Sequence, residues 1–169
     1  TFGFGVFFAG LYGTTLGYTH AGLFYTISAV SMIIIRMISK HFMDTVPAIK
    51  TMTGAVACGI LCCLMLLAAP YGEPVFLASG IFYGLATGIS LPLNQSVAVK
   101  NTPPERWGAA NALFLLANDI GIGFASVIWG VINDSFGFQT SIVCVIVCLI
   151  ASYASAWIVY PARDKRWRH

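Results

Sequence analysis

Long apolar runs, broken by short polar clusters, extend along the whole chain. A helix crossing about 30 Å of hydrocarbon at 1.5 Å per residue needs about 20 such residues. Stretches nearly free of Lys, Arg and Glu predict spans near 20–38, 47–69, 74–99, 107–132 and 137–160, the first reaching full length if Arg36 snorkels. A further apolar run, 2–16, makes only about 23 Å of helix before Gly17-Tyr18-Thr19-His20, and reads as a truncated first span. The runs lack the two-residue alternation of a membrane barrel. The predicted fold class is therefore all-α, a polytopic membrane helical bundle forming one domain, with a tail at 161–169.

Composition supports the same reading, with 58% hydrophobic and only 9% charged residues where soluble domains carry about 25% charge. Disorder and nucleic-acid binding are set aside, since neither low hydrophobicity nor a basic stripe is present. The charge distribution tests the span map independently. Connections at 17–20, 70–74 and 133–138 hold no Lys or Arg, whereas the alternate connections and the tail hold all 9: Arg36, Lys40, Lys50, Lys100, Arg106, Arg163, Lys165, Arg166 and Arg168. By the positive-inside rule, that second set and the C-terminus are cytoplasmic. Tyr71, Trp129 and Phe138 at one set of ends, with Trp107, Trp157 and Trp167 at the other, suit interfacial belts. Thr1 is not Met, and a true terminus inside an apolar run would strand backbone donors in hydrocarbon, so the sequence reads as a fragment.

Candidate chemistry is sparse. Cys58, Cys62, Cys63, Cys144 and Cys148 lie in apolar runs and read as packing residues; no His or carboxylate stands nearby to complete a metal site. No nucleophile triad, nucleotide loop or zinc motif appears, which argues against an enzyme, and no cofactor is expected. Asp119 is the one carboxylate deep inside a span, where lipid exposure would cost about 2.5–3.5 kcal/mol. It suits a proton carrier, a ligand for a cationic substrate, or an interhelical hydrogen bond. Asn111, Leu115, Asn118, Asp119, Ile122 and Ser126 share a sector of about 100° on one helix, and Tyr83, Thr87, Ser90 and Asn94 fall within about 60° on the preceding one. Two polar faces suggest one cavity, to which Tyr25, Ser28 and Met32 could contribute; hydroxyls and amides that merely bond neighbouring backbone are the competing reading. Gly80, Gly84 and Gly88 are consecutive small-xxx-small steps for close packing, and Pro92 should kink their helix by removing the bond to Gly88.

These residues resemble the major facilitator superfamily of secondary transporters, in its C-terminal half from within the seventh helix onward. The resemblance rests on Ala21-Gly22-Leu23-Phe24-Tyr25, on Arg36 through Asp44, on the run from Gly80 to Gly88 with Pro92, and on Pro104 to Asn111, Asn118 to Gly123, Gly130 and Asp134 to Phe138. It implies a partial C-terminal six-helix half whose substrate site faces an N-terminal half. It also implies a proton-coupled carrier, exporting a small molecule across a bacterial inner (plasma) membrane. Implied pathway residues are Asp119, Asn118, Asn111, Tyr83, Thr87, Asn94 and Tyr25, with an inner gate at Arg36, Asp44 and Arg106. That gate motif is degraded, because Lys40, Thr45 and Pro47 replace its usual residues. The alternative is a membrane-embedded assembly or lipid-interacting module in which Asp119 only ties helices together.

Overall fold

The computed structural model describes the backbone of residues 2–100 and 102–164; side chains at 2, 3, 6, 40–45, 100 and 158–164 lie outside that description. Among the described residues all regular structure is helical: α1 (Phe2–Thr15), α2 (Leu23–Thr45), α3 (Ala48–Leu67), α4 (Glu73–Lys100) and α5 (Trp107–Asp164), with single 3₁₀ turns at Ala69–Tyr71 and Pro104–Arg106. Helices α3, α4 and α5 are each long and apolar enough to cross a bilayer, and α2 carries a shorter apolar stretch, Leu23–Ser39. In hydrocarbon a helix closes its own backbone hydrogen bonds, which is why apolar runs of this length adopt no other form.

Helix α5 is two arms joined at Gly137, whose φ of 81° and ψ of 170° break the helical geometry. A side chain at that φ is strained, so glycine is the residue that permits the turn. Contacts show what the turn does. Gly5 and Gly13 of α1 lie against Tyr83 and Phe76 of α4, while Gly59 of α3 lies against Ala86 of α4 and Leu149 of α5. Phe4 stacks edge-on with Trp129, and Tyr12 tilts against Phe138. The first arm of α5 thus runs alongside α1 in the same direction. Thr53 shares a hydroxyl hydrogen bond with Tyr153 at 2.8 Å, which sets the second arm antiparallel to α3. The chain accordingly reverses at Gly137, and successive passes alternate in direction throughout.

One set of ends is knitted together. The Tyr18 hydroxyl donates to the Ala69 carbonyl, and the His20 amide donates to the Glu73 carboxylate at 3.1 Å. These are the ends whose connections lack Lys and Arg; Arg36, Lys50 and Arg106 fall toward the opposite ends.

The tightest packing joins α2 to α4. A Cβ on Gly80 would meet the Phe24 carbonyl oxygen at 2.9 Å, one on Gly84 would strike the Ser28 carbonyl and come within 2.7 Å of the Ser31 Cβ, and one on Gly88 would strike the Ile35 side chain. Ser28 and Ser31 are both buried, so small residues face small residues and the two backbones touch. The Ser28 hydroxyl donates to the Phe24 carbonyl at 2.6 Å, so it enters this contact already satisfied. The main apolar core lies where α1, the start of α2, α3, α4 and α5 converge, around Phe24, Phe76, Ile142 and Val145. Helix α4 continues through Pro92 without interruption.

Replacing Gly84 by Val should lower stability by about 1–3 kcal/mol or more, because neither backbone can retreat. Thermal unfolding in detergent checks this, with Gly54→Val as the control, since a Cβ on Gly54 meets nothing within 4 Å.

Candidate functional site

Because Gly80, Gly84 and Gly88 face α2, positions about 60–120° further round α4 must face the interior of the bundle. Those positions carry Tyr83, Thr87, Ser90 and Asn94. All four line a cavity of about 310 Å³, together with Phe4 and Gly5 of α1, Cys62 and Cys63 of α3, Asn118 of the first arm of α5, and Leu149 and Ser152 of the second. The Thr87 hydroxyl donates to the Tyr83 carbonyl at 2.8 Å, which leaves its oxygen lone pairs able to accept from a solute. The wall is thus apolar for most of its extent, with a short polar row along α4. That is the usual make-up of a small-molecule site.

Asn118 also lines a second cavity of about 410 Å³, with Arg36 and Ser39 of α2, Pro92 and Gln95 of α4, and Phe114 and Leu115 of α5. Leu91 and Asn118 therefore border both an interior chamber and a chamber nearer the basic ends, and Asn118 is the polar member of that shared wall. Gln95 is fixed there, its Nε2 donating to Asn111 Oδ1 across α4 and α5. Ser39 donates to the Arg36 carbonyl at 3.2 Å.

The candidates from sequence separate into groups. Tyr83, Thr87, Asn94 and Asn118 meet at the first cavity, and Arg36, Pro92 and Asn118 at the second. Asn111 lines neither; its carboxamide holds Gln95. Tyr25 lines neither and accepts a hydrogen bond from the Gly10 amide at 3.0 Å, tying α2 to α1. Asp119 is exposed, about 100° round α5 from Asn118, and lines neither cavity. Arg106 is exposed on its 3₁₀ turn, and the Asp44 side chain lies outside the described residues. Gln95, Ser39 and the Cys62–Cys63 pair are wall residues that sequence patterning did not single out as such; only their spacing from Pro92, Arg36 and the α3 core could have pointed to them. Among the described residues no group of three or more His, Cys, Asp or Glu side chains is placed to hold a metal ion.

Comparison with known proteins bears on what this arrangement is. The family model of the Major Facilitator Superfamily matches residues 1–169. The Staphylopine export protein of Staphylococcus aureus is 26% identical over 162 residues, covering 92% of this chain and 41% of that protein. The chain thus spans about two fifths of the length of that relative. No solved structure matches significantly. A match over the whole sequence, on a membrane-type bundle with a polar row facing an interior cavity, places this chain in the Major Facilitator Superfamily.

Proposed function

We propose that this chain is part of a secondary active transporter of a small molecule, a partial C-terminal six-helix half, and that the passage runs along the polar row of α4. The observation that carries this reading is the cavity of about 310 Å³ bordered by Tyr83, Thr87, Ser90, Asn94 and Asn118. A packed, purely structural bundle has no use for a polar-walled void of that size, because voids forfeit dispersion contacts. Family membership supports transport as the use of that void, and the name of the relative supports export as the direction and staphylopine as the cargo to test first.

Asp119 takes the role of proton carrier in this reading. It lies about 18 Å along α5 from Trp107, near mid-membrane depth, and is exposed on the described chain. Facing lipid there would be costly. The remainder of the carrier therefore covers this flank, so that Asp119 sits in the seam between two lobes. Protonation of a carboxylate at a moving seam changes which packing of the lobes is favoured, and that couples a pH gradient to the direction of opening. Arg36, Asp44 and Arg106 belong near the cytoplasmic mouth, with the C-terminus on that side, and the seam closes around them when the inner ends come together.

Two outcomes follow. In proteoliposomes holding the full-length protein, Asp119→Asn should abolish staphylopine flux driven by a pH gradient, while downhill exchange at equal pH persists. Unchanged gradient-driven flux would remove Asp119 from the coupling step. Asn118→Leu should slow both modes by roughly tenfold or more, since it closes the wall shared by the two chambers with an apolar group.

A further inference from the structure

The second cavity has an unusual charge balance for a chamber between membrane helices. Its lining contains one guanidinium, that of Arg36, and no carboxylate among the described residues. The ion pair found among those residues, His20 with Glu73 at 3.5 Å, is at the opposite end of the bundle. Arg36 is exposed on the described chain, so its guanidinium keeps its contact with water at the mouth of this cavity and can be reached by a solute. Around it stand carboxamides. Gln95 spends one amide hydrogen on Asn111 and keeps a second, and Asn118 adds a further amide. The guanidinium offers paired, parallel N–H donors that match the two oxygens of a planar oxyanion.

We infer that this chamber is an oxyanion-recognition station, in which Arg36, assisted by Gln95 and Asn118, holds a carboxylate of a small solute before or after it passes the α4 polar row. This rests on the transporter reading and deepens it by naming a charge class for the cargo. A volume of about 410 Å³ accommodates an acid of a few carbons, and because Asn118 borders both cavities, a solute held here lies beside the one lined by the α4 polar row. The same donors suit a phosphate from a lipid headgroup, so the chemistry is that of an oxyanion and the source is settled by experiment. The border that this cavity shares with the interior one at Asn118 favours the solute.

The test is thermal unfolding of the full-length protein in phosphatidylcholine nanodiscs, with succinate as the probe and the uncharged succinamide as its isostere. Succinate should raise the unfolding temperature by a few degrees, as expected for a ligand of the folded state, and succinamide should not. Arg36→Gln should weaken the succinate response roughly tenfold or more and Gln95→Ala less, while Arg36→Lys, which keeps the charge but not the fork, should retain part of it. An equal response in wild type and Arg36→Gln overturns the site. So does stabilisation by phosphatidylglycerol through Arg36 with succinate inert, which assigns the guanidinium to a headgroup. Binding is read without transport, so the two readings fail separately. Arg36-dependent binding in a protein that moves nothing overturns only the transporter reading, and transport with an Arg36-independent response overturns only this site.

Discussion

The backbone contact between α2 and α4 fixes where every other polar group in the bundle points. Gly80, Gly84 and Gly88 remove the side chains that would hold the helices apart, and Ser28 and Ser31 do the same from the other side. Lipid offers no hydrophobic reward for helix association, so close van der Waals approach is what two such helices gain. Once that face of α4 is committed, its rotation about its own axis is set. The row of Tyr83, Thr87, Ser90 and Asn94 then turns inward, toward α1, α3 and both arms of α5. A bulkier seam would rotate or lift α4 and carry the row away from Asn118.

A second constraint acts on the hydroxyls. With little water in the bilayer core, each must find a partner, and most of the buried ones take a carbonyl three or four residues back on their own helix: Ser28 on Phe24, Ser79 on Phe76, Thr87 on Tyr83 and Ser141 on Gly137. Local satisfaction lets polar side chains sit in the bundle at small cost. The carboxamides behave differently. Gln95 and Asn111 cross from one helix to another, and Asn118 presents its amide to two chambers at once. Hydroxyls here mostly serve their own helices, whereas amides link helices and border the passage.

The helical class and the family were legible in the sequence, because an apolar run of membrane length has one viable backbone form and the order of motifs adds to it. The glycine steps were legible too, since a four-residue period on one helix needs no knowledge of its neighbour. Legibility stops at the direction a face takes in the assembled bundle. Asn118 and Asp119 share a sector on paper, yet Asn118 lines both chambers and Asp119 is exposed, because the neighbours that divide that sector come from α2, α3 and α4. Tyr25 looked like a cavity residue, but its hydroxyl is taken by the Gly10 amide, a partner that no periodicity reveals. Gln95 escaped notice because it lies about 100° round from Asn94, off the polar row, and its purpose appears only once α5 places Asn111 beside it. The segment 133–138 reads as a loop, whereas helix continues to either side of Gly137 and one positive φ makes the turn.

The central claim is that the α4 row and Asn118 border a wetted passage. The most direct measurement is alkylation of single cysteines by a small, membrane-impermeant, charged thiol reagent, in a background where the five native cysteines are replaced by alanine. Cysteines at Ser90, Asn94 and Asn118 should react at rates approaching those of a solvent-exposed loop position, while cysteines at Leu116 and Ile120, on the opposite side of the same α5 arm, should react far more slowly. Unreactive cysteines at all three wall positions would contradict the account, because the void would then be dry packing and not a route for a solute.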